Sequence, residues 1–254
     1  MNNYFIDTHA HIYKEYYEDP KSIIDNSVVN NINYIINNGC DQLTNEEVIE
    51  SLNNPHIYGA IGIHPENVLD YKQEDLDYIE KNLSNPKIIA IGEIGLDYHY
   101  DKSSKEKQIE LFEYQLQLAE KYNMPVVIHS REATQDTIDI LKKYNVKGTI
   151  HSFSGSLEVA KIYIKMGYML GINGVITFKN SNLKDIIKEV PLENIILETD
   201  SPYLTPHPYR GQRNEPKYIN IIAEFISNLK NITLEELSDI TNNNIKKIYP
   251  RIKT

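Results

Sequence analysis

The feature that most constrains the fold is a regular alternation of short β-branched runs with longer amphipathic segments along the whole chain. Strands that alternate with helices form parallel sheets. Eight such runs in 254 residues, close to the ~250 of a complete barrel, predict an α/β fold. This fold is a single-domain (β/α)8 TIM barrel over residues 1–254. The predicted strands are Tyr4–Asp7, Asn33–Asn37, Ile57–Ile61, Ile88–Gly92, Val126–Ile128, Lys147–Ile150, Tyr168–Gly171 and Asn194–Leu197.

The segments between the strands have the periodicity of helices. Within Ser104–Tyr122, apolar residues recur at spacings of three and four, at Ile109, Phe112, Leu116 and Ala119. This spacing places them on one face of a helix. Further helices are predicted around Leu76–Leu83, at roughly Lys217–Leu229, and at Leu234–Ile248 with Thr233 as N-cap.

Charge and cysteine content narrow the function classes. The chain has 26 basic and 36 acidic residues, a net charge of −10. Proteins that coat nucleic acid are normally basic, so extended binding along a duplex is disfavoured, although a phosphate can still bind where cations dominate the local field. One cysteine, Cys40, excludes an internal disulfide. With no visible secretory signal and no apolar run of about 20 residues, we expect a cytoplasmic protein without a membrane partner.

Residues that commonly bind metals follow five of the predicted strands. His9 and His11 lie two apart after the first strand, a spacing that points both side chains to one face. The other strand ends lead to Glu93, His129, His151 and Asp200. Catalytic groups of such barrels sit at the carboxyl ends of the strands. Four histidines and two carboxylates exceed the needs of one ion and suit two divalent ions with a bridging carboxylate.

Seven motifs occur along the chain: DTHAH, GIHP, GEIGLDYHYD, VIHSRE, HSFSG, LETDSPYL and RGQRNEP. In this order they resemble the motif series of the TatD-type metal-dependent deoxyribonucleases, within the amidohydrolase-like barrels. The resemblance extends from Asp7 to Pro216. This chain has Ser152 where the family commonly has cysteine, at a position that is not a ligand.

The resemblance implies how the six residues divide between two metals. His9, His11 and Asp200 would hold one ion, His129 and His151 the other, and Glu93 would bridge them. It also implies hydrolysis of DNA from an end, with ends or single strands preferred and a 3′ end favoured. Asp200 and Glu93 are therefore the expected catalytic residues, with Asp200 accepting or steering a proton. The ligand set suits Zn, Mn, Fe or Co, and Mg remains open because it is abundant.

Three further residues are candidates for contact with the substrate phosphate. His64 ends the third predicted strand, and a packing or orienting role is an equal alternative. Arg131 follows His129 closely, and Arg213 lies in the loop after the last strand. The guanidinium group matches phosphate oxygens. Each arginine has the alternative of pairing with an adjacent acid, Glu132 or Glu215.

Four more residues lie on predicted site loops. Glu198 precedes Asp200 by two residues and is expected to orient the metal-binding groups. Tyr98, His99 and Tyr203 offer aromatic rings on which a splayed base can stack. The chain has 19 tyrosines, so most tyrosines must be structural.

Two other functions remain open at this point. An amidohydrolase or esterase acting on a cyclic amide, a lactone or an aminoacyl-tRNA ester can use the same barrel and His-x-His pair. Such enzymes often have a carboxylated lysine as the bridge, whereas here the fourth strand leads to Glu93. A non-catalytic interaction protein built on a barrel that is no longer an enzyme would be expected to have lost a metal-binding residue. The sequence shows no obligatory protein partner.

Overall fold

The computed structural model describes residues 4–99 and 102–253. Within them, eight strands form one sheet in chain order, and each strand pairs in parallel with the next. The strands are β1 (Phe5–Ala10), β2 (Ile32–Asn38), β3 (Ile57–Ile61), β4 (Ile88–Asp97), β5 (Val126–Arg131), β6 (Gly148–Ile150), β7 (Met169–Ile172) and β8 (Ile195–Leu197). The helices are α1 (Pro20–Val29), α2 (Gln42–Ser51), α3 (Gln73–Asn82), α4 (Lys105–Tyr122), α5 (Thr134–Leu141), α6 (Leu157–Lys165), α7 (Leu183–Glu189), α8 (Ile219–Lys230) and α9 (Leu234–Ile248).

The sheet closes where the end of the chain's last strand meets β1. The Thr8 hydroxyl donates to the carbonyl of Leu197 at 2.9 Å. Just beyond β8, the amide of Asp200 donates to the carbonyl of His9 at 2.9 Å. The predicted (β/α)8 barrel is therefore confirmed, and its seam passes through residues predicted to bind metal.

Apolar packing fills the end of the barrel opposite these residues. Ile6, Ile36 and Val127 pack in one buried cluster with Ile248 and Tyr249, at the end of α9. The end of the chain lies at the amino ends of the strands. This follows because the guanidinium of Arg251 donates to the carbonyl of Ile88, the first residue of β4, at 2.7 Å. The residues predicted to bind metal thus lie at the carboxyl end of the barrel, where such folds place their sites.

Three strands extend at least three residues further than the sequence predicted, and the first of them is β1, which was expected to stop at Asp7 and continues to Ala10. β4 was expected to stop at Gly92, yet it continues to Asp97, and β5 continues to Arg131. The two strands stay paired over these segments, with Gly95 opposite His129. Buried polar residues at these positions look like strand ends in sequence, but here they face the barrel mouth.

The last helices differ slightly from the prediction. A short 3-10 turn covers residues 216–218, and α8 begins only at Ile219. Thr233 caps α9 as expected, since its hydroxyl accepts from the amide of Glu236 at 3.1 Å. In residues 4–99 and 102–253, no helix combines the length and apolar character of a membrane span.

Candidate metal centre

The six side chains expected to bind metal converge at the carboxyl end of the barrel. Five of them are buried, and the sixth, His129, is partly buried. They come from widely separated parts of the chain, so only closure of the barrel brings them together. The set comprises His9 in β1, His11 directly after it, Glu93 in β4, His129 in β5, His151 after β6 and Asp200 after β8.

Glu93 lies between two groups of imidazoles. Its Oε2 is 3.2 Å from His9 Nε2 and 3.6 Å from His11 Nε2. Its Oε1 is 2.8 Å from His129 Nδ1 and 3.8 Å from His151 Nε2. One carboxylate thus presents a different oxygen to each group, as a carboxylate shared between two cations does.

Asp200 completes the first group from the other side. Its Oδ1 lies 3.6 Å from His11 Nε2 and 3.7 Å from His9 Nε2. The same oxygen is 3.5 Å from His151 Nε2. The ligand atoms of His9, His151 and Asp200 all lie within 4.8 Å of one another, as do those of His9, His11 and Glu93. This donor set of imidazole nitrogens and carboxylate oxygens fits divalent transition metals.

The charges in the centre depend on one another. Burial alone would raise the pKa of Glu93, but nearby imidazoles, those of His151 and His9 foremost, hold it well below its usual range. Burial likewise opposes protonation of His151, yet the carboxylates of Glu198, Asp200 and Glu93 raise its pKa to about 10. Without cations, protonated imidazoles therefore neutralise the carboxylates. Because a metal ligand must be deprotonated, a bound cation has to displace these protons.

Neighbouring acceptors orient the histidine rings. His11 Nδ1 lies 2.9 Å from the carbonyl of Asn38, which leaves its Nε2 for the centre. Such contacts fix the ring orientation and tautomer of metal-binding histidines. Glu198, which was expected to orient metal-binding groups, has its Oε1 3.0 Å from His151 Nδ1.

Asp97 has a comparable position that the sequence analysis did not assign. Its Oδ2 is 2.8 Å from His129 Nε2, on the side of the ring away from Glu93. The side-chain amide of Gln108 holds the Asp97 backbone from both sides, at 2.9 and 2.8 Å. Asp97 is four residues after Glu93 in the same strand, a same-face spacing that was the available sequence signal.

A second unassigned carboxyl group, Asp7, ties β1 to the segment after β8. It accepts hydrogen bonds from the hydroxyl of Thr199 at 2.5 Å and from its amide at 2.9 Å. Burial raises the pKa of Asp7 to about 8 despite these bonds. Asp7 therefore fixes the position of the strand ends that carry His9 and Asp200.

His64 lies at the edge of the centre. Its Nε2 is 3.6 Å from Glu93 Oε1, and its ligand atom lies within 4.8 Å of those of Glu93 and His129. Its Nδ1 accepts a hydrogen bond from the amide of Glu66 at 3.2 Å. Burial lowers the pKa of His64 to about 3, so the neutral ring carries its proton on Nε2. The Nε2 of His64 thus faces the carboxylate of Glu93.

The two arginines are exposed at the rim. Arg131 ends β5, and Arg213 lies in the loop after β8 with its guanidinium 5.7 Å from the ring centre of Tyr17. The acid that was an alternative partner of Arg213, Glu215, instead contacts Lys217 Nζ at 2.8 Å.

The aromatic candidates divide by exposure. Tyr203 is 50% exposed, and His99 is exposed with its Nδ1 2.6 Å from Glu132 Oε1. The prediction for Tyr98 is not supported, because its ring is only 7% exposed and its hydroxyl donates to Asp136 at 2.9 Å. Its burial, with Lys105 Nζ over the ring at 5.1 Å from the ring centre, removes the free face that stacking on a base requires.

Comparison with known proteins agrees with this geometry. The sequence model of the TatD related DNase family matches residues 6–250. YabD, a metal-dependent hydrolase of Bacillus subtilis (strain 168), is 43% identical over 96% of this chain and 98% of its own length. Two solved structures are similar. YJJV, a TatD homologue of Escherichia coli K12, has a TM-score of 0.92 and 29% identity over 97% of this chain and 98% of its own. A TatD family hydrolase of Entamoeba histolytica has a TM-score of 0.88 and 28% identity over 99% and 100%. The chain belongs to the TatD family of metal-dependent hydrolases.

Proposed function

We propose that this protein is a two-metal phosphodiester hydrolase that degrades DNA from ends, with single strands preferred and a 3′ end favoured. The observation that carries the proposal is Glu93, whose two oxygens face different groups of imidazoles. The match to a family described as TatD related DNases supports a DNA substrate.

The residues divide around Glu93 in a way that accommodates two cations. His9 and His11, which lie 3.7 and 3.6 Å from Asp200 Oδ1, would hold one cation with Asp200. His129 and His151, which both face Glu93 Oε1, would hold the other, with Glu93 shared. The donor set favours Zn, Mn, Fe or Co on affinity, and abundance favours Mg. When bound, the cations would supply Lewis acidity to the phosphodiester and lower the pKa of water toward about 7.

The protein's own side chains handle the proton and the phosphate charge. Burial acts against ionisation of Asp200, but the imidazoles of His151, His11 and His9 keep its pKa below the ordinary value. The ionised carboxylate, whose side chain is 13% exposed, can accept a proton from the attacking water at the mouth of the site. His64 donates a hydrogen bond from Nε2 to a phosphoryl oxygen.

The distribution of arginine favours a strand end over a long duplex. Of the four arginines in the chain, Arg131 is exposed at the end of β5, and Arg210 and Arg213 are exposed in the loop after β8. The fourth, Arg251, donates to backbone carbonyls at the other end. With a net charge of −10, the protein lacks the overall positive charge that favours binding along a duplex, so binding a short terminal segment fits better.

The test compares substrates with one purified, metal-loaded protein. A single-stranded oligonucleotide labelled at either end should be shortened from one end, and a blunt duplex should react more slowly. Asp200→Asn should abolish hydrolysis without changing the circular dichroism spectrum, while Tyr114→Ala, on the outside of α4, should leave the rate unchanged. Hydrolysis of dihydropyrimidine, lactone or aminoacyl-tRNA substrates with intact DNA would reject the nuclease and favour an amidohydrolase or esterase.

A further inference from the structure

A pair of tyrosines lies beside the metal centre, where the loops after β1 and β8 meet. The ring centre of Tyr203 is 6.3 Å from that of His11. Tyr16 packs edge-on against Tyr203, with ring centres 5.8 Å apart and planes at 71°. Their hydroxyl groups are hydrogen bonded at 2.8 Å. We call these two residues the Tyr16–Tyr203 platform.

Hydrogen bonds hold the platform in place although Tyr203 is half exposed. The buried side-chain amide of Asn214 donates to the carbonyl of Tyr203 at 2.5 Å and to that of Thr199 at 2.9 Å. The hydroxyl of Tyr17 donates to the carbonyl of Asn214 at 2.6 Å. The loop after β8 is thus tied to the loop after β1, and the exposed ring face is fixed before any ligand arrives.

We propose that this platform stacks a nucleobase of the DNA next to the scissile phosphate, and thereby makes an unpaired strand end the preferred substrate. The inference rests on the proposed nuclease function. Stacking on an aromatic ring suits any base because every base has a π face. The ring centres of Tyr203 and His11 are only 6.3 Å apart, so a base that stacks on Tyr203 belongs to a nucleotide close to the centre.

The requirement for an unpaired base follows from the placement of the ring. Tyr203 leaves half of its surface free, and a base can cover it only after leaving the stack of a duplex, which costs a few kcal/mol. Arg213 lies over the ring of Tyr17, the residue that follows Tyr16 in the chain. Its charge suits the phosphate of the stacked nucleotide.

The experiment is a thermodynamic cycle that measures whether the effect of removing the base on DNA affinity depends on the ring of Tyr203. A fluorescein-labelled single strand and the same strand with an abasic terminal nucleotide are titrated in fluorescence anisotropy. The proteins carry Asp200→Asn to prevent hydrolysis, with or without Tyr203→Ala. With Tyr203 present, loss of the base should weaken binding about 5- to 150-fold, because a stacked base contributes about 1–3 kcal/mol and 1.4 kcal/mol is tenfold. With Tyr203→Ala, loss of the base should change affinity less than about twofold.

Controls separate the ring from other effects. Tyr203→Phe keeps the ring and loses the hydroxyl, so it should retain the full dependence on the base. Tyr114→Ala removes an exposed tyrosine on α4 and should behave as the parent protein. An equal loss of affinity on base removal with and without Tyr203, or loss of the dependence in Tyr203→Phe, would overturn the stacking role. If base removal weakens binding only when Tyr203 is present, but the wild-type protein does not hydrolyse DNA, only the nuclease function is rejected.

Discussion

Replacing Gly171 by alanine is expected to perturb the metal centre, although Gly171 is not itself a predicted metal ligand. Gly171 lies in β7, and a Cβ there would be 2.1 Å from Glu198 Oε2 and 2.6 Å from its Cδ. Real Cβ atoms essentially never approach other atoms within 3.0 Å, so the carboxylate must retreat by about 0.9 Å. Strand β7, which contains Gly171, and strand β8, which precedes Glu198, are both buried. The Glu198 carboxylate rather than the backbone is therefore expected to move.

The retreat would break the contacts that Glu198 makes with the centre. Its Oε1 accepts from the amide of Ser152 at 2.6 Å and lies 3.0 Å from His151 Nδ1. Loss of such an orienting partner typically lowers metal affinity about 10- to 100-fold. We expect Gly171→Ala to lose affinity in this range for the cation held by His151, and to lose hydrolysis by a factor on the order of 100, as a 1 Å misplacement does.

Metal affinity is measured by competition with a chelator, at a temperature well below unfolding. Overpacking should also cost stability, about 1–3 kcal/mol. Gly167→Ala controls for this, because Gly167 precedes the same strand, has φ +88°, and its Cβ would meet nothing closer than 3.4 Å. That variant should lose stability and keep its metal affinity. Wild-type affinity in Gly171→Ala, or equal loss in both variants, would refute the role assigned to Glu198.

Three further predictions concern other contacts of the site. Asp97→Asn removes the anionic partner 2.8 Å from His129 Nε2 and should weaken metal binding about tenfold; an unchanged chelator competition curve would contradict this. The pKa of His129 is raised to about 9 and that of His151 to about 10 because nearby carboxylates outweigh burial. Since these protons are bound below those values and must leave when a cation binds, metal uptake at pH 8 should release protons. The apparent affinity for metal should rise with pH and level off above about pH 10. Calorimetry in buffers of different ionisation enthalpy measures the number of protons released, and a value of zero would contradict this prediction. Tyr98→Phe removes the bond to Asp136 and should lower the free energy of unfolding by about 1 kcal/mol without changing KM for DNA, whereas a raised KM would place Tyr98 in contact with substrate.

The barrel could be predicted from sequence because its strands are short, apolar and regularly spaced. The boundaries of β4 could not, since Glu93 and Asp97 are polar residues that normally end a buried strand. They remain inside the strand because the barrel mouth gives them imidazole partners from β1 and β5. The local sequence of β4 does not indicate that these imidazole partners will come from other strands.

The candidate ligands could be predicted because each follows its own apolar run, from His9 to Asp200. Their division around Glu93 required the family resemblance, and the structure adds which oxygen faces which ring. The sequence did not single out Gly171, since its role depends on Glu198, the residue that follows the neighbouring strand β8. Sequence does not separate Tyr98 from Tyr203, and only the folded structure shows that one is buried and the other half exposed.

The central claim is that Glu93 is shared between two cations. Anomalous diffraction from crystals of the metal-loaded protein, recorded at the absorption edge of the bound metal, tests it most directly. We expect two peaks about 3.5–4 Å apart, one beside His9, His11 and Asp200, the other beside His129 and His151, with Glu93 between them. A single peak, or peaks that do not contact Glu93, would contradict the two-metal centre.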